Sequence, residues 1–144
     1  MKRIILVVTI ILLIGIVQNS HAVDTWVSTP TVTVGWDAVT LNTNNTPVDP
    51  AKFKVVYDTY IKGSLGVPFP TGRVETLEKS IVFDIEDQWI LGVEAVKILL
   101  ADNSEAARST ISWSDNPVIC KDGITFGNRY FLLPRMPIIN YSIP

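Results

Sequence analysis

The feature that most constrains the fold is the stretch Trp89–Ala95, because its alternation predicts a buried β-strand. Successive side chains of a strand point to opposite faces of the sheet. One face is expected to carry Trp89, Leu91, Val93 and Ala95. The other face is expected to carry Ile90, Gly92 and Glu94. Such a strand belongs at the centre of an all-β domain.

Further segments have the length and composition of short strands. They cover residues 24–29, 31–36, 52–58, 73–77, 80–85 and 109–114. With the central strand they give about seven strands at intervals of roughly ten residues, which predicts a β-sandwich. Residues 63–72, with three Gly and two Pro, are expected to form an irregular connection. Residues 101–107 are expected to form a turn.

The same two-residue period assigns faces to the other strands. Residues expected to face the core are Val32, Val34, Trp36, Phe53, Val55, Tyr57, Ile81, Phe83, Ile85, Ile111 and Trp113. Val56 is expected to face outward. Three of the four tryptophans, Trp36, Trp89 and Trp113, are therefore predicted to belong to the core rather than to an exposed surface.

The first 22 residues predict a secretory signal peptide. Lys2 and Arg3 precede an apolar run, and small residues in Ser20-His21-Ala22 form a cleavage site before Val23. The alternative, an uncleaved anchor, is less favoured because the run is shorter than the ~20 residues that a spanning helix needs. We therefore expect a secreted protein, extracellular, periplasmic or at the cell surface, with no membrane span in its mature form.

Cleavage would change the charge and the chemistry of the chain. It removes two of the 12 basic residues and none of the 14 acidic ones, which leaves a net charge of about −4. This acidic balance argues against a nucleic-acid partner. The only histidine, His21, also leaves with the signal peptide. Since histidine is the usual base of hydrolytic triads, we expect no enzyme of that kind.

A single cysteine, Cys120, remains in the mature chain, so no disulfide can form within it. A lone cysteine in a secreted protein is either buried and inert or paired with another chain. We favour the buried, inert thiol.

The order of four segments resembles a fibronectin type III domain over residues 25–116. The segments are VTVGWDA, FKVVYD, WILGVEAV and NSEAARSTISWSDNP. The resemblance implies a sandwich of about seven strands in two antiparallel sheets over residues 23–116, with no cofactor. One departure is Trp89, where the family usually has a tyrosine whose hydroxyl ties the strand to the preceding corner.

Residues 117–144 extend past the usual end of such a domain and contain the apolar stretch ITFGNRYFLLPRMPIINY. So apolar a tail is expected to pack in extended form on the domain or against a partner. Its aromatic residues Phe126, Tyr130 and Phe131 are therefore the candidate partner surface.

Two other kinds of site were weighed. Asp84, Glu86 and Asp87 cluster at one turn and could suggest a calcium site or an acid–base pair. Their spacing matches no oxygen-ligand loop, so a solvated turn is the better interpretation and no metal is expected. Sugars stack on exposed aromatic rings, and Trp26 and Tyr60 are, with the tail aromatics, the candidates for such exposure.

The sequence therefore predicts a secreted, non-enzymatic binding or adhesion module with a protein or glycan partner. The alternative is a structural subunit of a surface or particle assembly that uses the apolar tail as its joint. A small glycan-active enzyme is the least favoured hypothesis.

Overall fold

The structure is a computed structural model that describes residues 22–135. Residues 1–21 of the predicted signal peptide and residues 136–144 of the predicted tail lie outside this range. The described residues form nine strands and one short 3₁₀ turn and contain no α-helix. The prediction of an all-β fold is therefore confirmed.

The strands are β1 (Thr25–Val27), β2 (Thr31–Gly35), β3 (Phe53–Lys62), β4 (Pro68–Val74), β5 (Glu78–Val82), β6 (Asp87–Leu99), β7 (Glu105–Arg108), β8 (Ser112–Trp113) and β9 (Phe126–Tyr130). The 3₁₀ turn covers Lys121–Gly123. Seven strands form one sheet in the order β1-β9-β6-β3-β4, with β7 and β8 also paired to β6. The second sheet contains β2 and β5 alone.

The core lies between the two sheets, as expected for a sandwich. Val34 and Ile81 come from the small sheet, and Trp89 and Leu91 come from β6. Phe83 completes the buried cluster, with its ring 6.0 Å from that of Trp89. The predicted inward face of the central strand is thus confirmed at Trp89 and Leu91. We call this side of the large sheet the inner face.

The last strand position of the sandwich is divided into three segments, β7, β8 and β9, which pair in turn with the end, the middle and the start of β6. The chain leaves the sheet after β8 and returns at β9. Ser114 links the end of β8 to the start of β9. Its N–H donates to the Leu91 carbonyl, its carbonyl accepts the Phe126 N–H, and its hydroxyl donates to the Phe126 carbonyl at 2.7 Å. Nine strands therefore occupy about seven positions.

The predicted single strand at 109–114 is wrong in extent, and the predicted turn at 101–107 partly becomes β7. Its predicted direction is also wrong, because Trp113 lies opposite Gly92 on the outer face of the large sheet. A Cβ atom at Gly92 would lie 2.6 Å from the Trp113 ring and 2.8 Å from Ile111. The missing side chain of Gly92 thus leaves the space that these two residues occupy.

Two further expectations for β3 and β4 are corrected. Val56 is buried, at 2% exposure, in a small outer-face cluster with Val96 and Ile98. The stretch expected to be irregular contains β4, which pairs with β3 from Pro68 onward. As an edge strand, β4 can accept prolines, which have no N–H to donate to a neighbouring strand.

Ile85, which was expected to face the core, is 63% exposed. The small sheet ends before it, with β5 ending at Val82 and the Phe83 N–H bonded to the Pro30 carbonyl. The chain then turns into β6, and the Ile85 carbonyl accepts a hydrogen bond from the Trp89 indole. The turn overrides the two-residue period at this residue.

β1 joins the large sheet by parallel pairing with β9. The Asp24 carboxylate accepts hydrogen bonds from the N–H and the hydroxyl of Thr125, at 2.9 and 2.8 Å. The fully buried side-chain amide of Asn128 makes two hydrogen bonds to the backbone of Thr29. The first strand is therefore fixed by the last one, and it does not pair with β2.

Candidate functional site

A cleft of about 630 Å³ lies between the two sheets. Its walls come from β2, from the inner side of β6, from the segment around β8 and from the turn that contains Cys120. The residues that line it include Val34, Gly35, Trp36, Tyr57, Leu91, Val93, Ala95, Ser109, Ser112, Cys120 and Phe126. Its volume is within the range typical of ligand pockets, about 300–1,000 Å³. We call it the inter-sheet cleft.

The cleft exists because β2 has only one neighbour. Within the part of the chain that the structure describes, β5 pairs with one edge of β2 and no strand pairs with the other. The inner side of β6 consequently remains partly uncovered, with Val93 and Ala95 only half-buried. Their positions on the inner face follow the predicted alternation of the central strand.

Trp36 contributes a polar group to this apolar site. Its ring packs against Tyr57, with the ring centroids 5.4 Å apart, and the Tyr57 hydroxyl accepts the Val39 N–H at 3.0 Å. The Trp36 Nε1 atom is buried and has no hydrogen-bond partner in residues 22–135. A buried donor without a partner costs about 1–3 kcal/mol of stability.

Cys120 lies at the edge of the cleft, on the turn between β8 and β9. It is half-buried, and its thiol donates to the Ser114 carbonyl at 3.3 Å. Burial raises the pKa of the Cys120 thiol, and the negative charges of Asp115 and Asp24 raise it further. The thiolate, which is the reactive form of cysteine, is therefore disfavoured at neutral pH.

The three tail aromatics predicted as a partner surface do not lie together on one exposed patch. Phe126 and Tyr130 are half-buried on β9 and pack against the core cluster, and Phe126 also lines the cleft. Phe131 is 55% exposed, and it is followed by the exposed Leu132 and Leu133. The Leu132 N–H is hydrogen-bonded to the Glu86 carboxylate, beside the start of β6. The exposed part of the tail therefore begins at Phe131.

A network of charged groups covers the outer face of the large sheet. It comprises Asp58, Arg73, Glu94, Glu105 and Arg108. Arg73 donates to both carboxylate oxygens of Asp58, at 2.6 and 2.8 Å, and this pairing lowers the pKa of Asp58. Each carboxylate of the network is paired with an arginine. The network therefore links the strands of the large sheet on the outer face, beside Val56 and Val96.

The Tyr60 hydroxyl joins this network by donating to Glu94 at 2.8 Å. That hydrogen bond raises the pKa of Tyr60, with a smaller contribution from burial. The predicted exposure of Tyr60 is limited in consequence, since the residue is half-buried on the outer face.

The acidic turn predicted from Asp84, Glu86 and Asp87 is solvated at its first two residues, which are exposed. Asp87 accepts hydrogen bonds from the Ser64 N–H and hydroxyl, each at 3.1 Å. Burial opposes its ionisation, but these bonds and the Gln88 N–H leave the pKa of Asp87 lowered. Within residues 22–135, no group of three or more acidic, histidine or cysteine side chains could hold a metal ion.

Two outer-face tryptophans bear on glycan binding. The Arg129 guanidinium lies 4.5 Å from the centre of the Trp26 ring, and the Lys62 ammonium lies 4.5 Å from the centre of the Trp113 ring. Such cation–π contacts occupy a ring face that a sugar would need for stacking. The outer face is consequently a weaker candidate than the inter-sheet cleft.

Sequence reasoning missed the cleft because it assigned the residues around it to a closed core. A signal was nevertheless present. Pro30 interrupts the chain between the first two strands, and Ser109, Thr110 and Ser112 are small polar residues in what was expected to be a core strand. Proline suits an edge strand, and serine and threonine are more often solvent-exposed than buried.

Residues 22–135 contain no helix that is long and apolar enough to cross a membrane. Comparisons of the chain with protein-family models, with curated proteins and with solved structures found no match.

Proposed function

We propose that the protein is a secreted, non-enzymatic binding module with a fibronectin type III-like sandwich, and that it takes its ligand in the inter-sheet cleft. The observation that carries the proposal is the cleft itself, which lies beside the unpaired edge of β2 and leaves Val93 and Ala95 only half-buried on its floor. Such a combination of apolar walls and few polar groups is typical of ligand sites. The absence of histidine from residues 23–144 favours binding over hydrolysis.

Binding can be tested with a panel of nonapeptides that alternate valine with serine or threonine, and with an oligosaccharide array. We expect the exported protein to bind the peptides. Ser112→Trp should weaken this binding, because Ser112 pairs with Val93 and shares its face in the cleft wall. Val82→Trp is the control, since Val82 is 70% exposed on β5 and lies outside the cleft lining. Equal binding by both variants would contradict the proposal.

Export itself rests on the sequence of residues 1–22. The intact mass of the exported protein should correspond to a chain that begins at Val23. A species that retains Lys2 and Arg3 would show that the segment is not removed, and the protein would then be anchored rather than secreted.

The second candidate function is a structural subunit of an assembly. It is favoured by the contiguous exposure of Phe131, Leu132 and Leu133, of which Leu133 is 93% exposed. Exposed apolar runs of this kind mark interaction surfaces. The two candidate functions would be the same function if the ligand of the cleft were a segment of another copy of this chain.

A further inference from the structure

We infer that the inter-sheet cleft accepts an extended segment of a second copy of this chain, residues 136–144, which adds a strand to the unpaired edge of β2. This inference rests on the proposed role of the cleft as a binding site and names its occupant. Four observations carry it: the hydrogen-bonding pattern of β2, the shape of the cleft, the sequence of the segment and the point at which the described chain ends.

The edge of β2 is ready to pair with another strand. The Trp36 N–H donates to the Leu77 carbonyl, and the Phe83 N–H donates to the Pro30 carbonyl, one at each end of β2. In an antiparallel ladder, hydrogen-bonded and non-hydrogen-bonded residue pairs alternate. The even-numbered residues of β2 therefore form hydrogen bonds with β5, and the backbone groups of Thr33 and Gly35 point to the opposite edge. No strand pairs with that edge within residues 22–135.

The cleft borders the C-terminal end of this edge. Val34 and Gly35 of β2 and the following Trp36 line one side of it, and Leu91, Val93 and Ala95 of β6 lie beneath. A strand added at this edge would hydrogen-bond to β2, as in β-strand addition to a sheet edge. Every second side chain of that strand would face the apolar floor of the cleft. The ligand therefore needs an extended backbone and alternating apolar side chains.

Residues 136–144, with the sequence MPIINYSIP, have this pattern. Ile139, Tyr141 and Ile143 would share one face of a strand, and the polar Asn140 and Ser142 would share the other. The backbone N–H and carbonyl groups of such a segment would pair with those of Thr33 and Gly35 on the unpaired edge of β2.

The exit of the chain favours donation to a second copy. β9 ends at Tyr130 opposite Asp87, and Leu132 is bonded to Glu86, so the chain passes beyond the first residue of β6. To enter its own cleft the chain would have to reverse within residues 131–139, which include Pro134 and Pro137 and contain no glycine, the residue that most readily adopts the left-handed conformations of tight turns. Proline also restricts the residue before it to extended conformations. A reversal into the chain's own cleft is thereby disfavoured.

When one copy inserts its residues 136–144 into the cleft of a second copy, the first copy still has an empty cleft and the second still has a free C-terminal segment. Such a head-to-tail contact builds open chains or closed rings, according to the rotation between copies. The exported protein should therefore have a molar mass that rises with concentration in the micromolar range, measured by light scattering after size-exclusion chromatography.

The acceptor side is tested with two matched prolines. Thr33 and Ser80 lie opposite each other, and their hydroxyls are hydrogen-bonded at 2.7 Å, so either substitution removes the same contact. Thr33→Pro removes an N–H from the unpaired edge of β2, two residues before the cleft-lining Gly35, whereas Ser80→Pro removes one from the far edge of β5. We expect Thr33→Pro to raise the concentration for half-association at least about tenfold, which is ~1.4 kcal/mol. Ser80→Pro should leave it unchanged.

The donor side is tested with two neighbouring lysines. Tyr141→Lys places a charge on the apolar side of the segment and should abolish association, whereas Ser142→Lys places it on the polar side and should not. A mixture of Thr33→Pro and Tyr141→Lys chains should form a one-to-one dimer that does not extend, because one chain can only donate and the other can only accept.

Folding of each variant is checked by circular dichroism, and a synthetic peptide of residues 136–144 gives a test without substitutions. The peptide should dissociate wild-type assemblies. A wild-type chain that stays monomeric at all concentrations, or association that persists in both Thr33→Pro and Tyr141→Lys, would overturn the inference. If the chain is monomeric but the valine-containing nonapeptides bind and Ser112→Trp weakens them, the proposed binding function stands and only the second-copy occupant is wrong.

Discussion

The indole N–H of Trp89 donates a hydrogen bond of 3.1 Å to the carbonyl oxygen of Ile85. The bond joins the start of β6 to the corner four residues upstream. In a tyrosine corner, a phenolic hydroxyl makes a bond of similar span. In this chain the start of β6 is attached to its corner through the indole donor of Trp89.

Two matched substitutions measure the value of this bond. Trp89→Phe removes a bonded indole N–H, whereas Trp36→Phe removes one without a partner. Both replace an indole by a phenyl ring. We expect Trp89→Phe to lower the free energy of unfolding by about 1–3 kcal/mol more than Trp36→Phe does. Urea denaturation gives the two values, and equal losses would show that the bond contributes nothing.

The charge network predicts an acid-dependent loss of stability. Hydrogen bonds from Arg73 lower the folded-state pKa of Asp58 below its unfolded value. The ionised Asp58 therefore stabilises the fold above pH ~4, and its contribution is lost as the pH falls through the folded-state pKa. Asp58→Asn should lower the melting temperature at pH 7. It should also reduce the further fall in melting temperature that acid causes below pH ~4. Asp84→Asn, at an exposed carboxylate, is the control.

The same profile in the two variants would contradict this assignment. We expect acid to lower the melting temperature of Asp58→Asn less than that of the wild type, because the asparagine amide does not titrate. Glu105 shares the effect, since hydrogen bonds from Arg73 and then Arg108 lower its pKa as well.

The outer-face position of Gly92 predicts that even a methyl group is costly there. An added Cβ would lie 2.6 Å from the Trp113 ring, which is itself held by the Lys62 contact. Gly92→Ala should therefore destabilise the protein by about 1–3 kcal/mol, the usual cost of overpacking. At Gly35 the nearest atom to an added Cβ is 3.6 Å away, so Gly35→Ala should change stability by less than about 0.5 kcal/mol. Thermal unfolding distinguishes these outcomes.

Cys120 is predicted to react slowly. Its raised pKa and its hydrogen bond to the Ser114 carbonyl disfavour the thiolate at pH 7. Iodoacetamide should alkylate it more slowly than it alkylates glutathione, and denaturation should remove the difference. Modification of the native protein at the glutathione rate, or a dimer on a non-reducing gel, would show instead that the thiol is exposed and reactive.

The fold was predictable where one physical effect dominated. Val34, Ile81 and Trp89 alternate with exposed or half-buried neighbours, and burial of apolar side chains placed each of them in the core. The strand pattern therefore sufficed for the all-β sandwich. The same reasoning failed at Trp113. The side-chain period predicted an inward ring, but the ring packs on the outer face, in the space left by the missing side chain of Gly92.

The candidate site was predictable only in part. The inner-face positions of Val93 and Ala95 follow from the period of β6, but their partial exposure depends on which strand lies above them. That depends on β1, which pairs with β9 through contacts between residues about one hundred positions apart, such as Asp24 and Thr125. Local sequence patterns contain no information about so distant a pairing.

The pairing of β1 with β9 also sets the order in which the molecule can be completed. Thr25 lies opposite Phe126, and Val27 lies opposite Asn128. A chain made from its N-terminus must wait for nearly all of its described length before the first strand finds its neighbour. Contacts so distant along the sequence slow folding, since a long loop must close first. Until β9 emerges, the edge of β6 that it will cover stays open, and a chaperone that binds strand edges would have that interval in which to act.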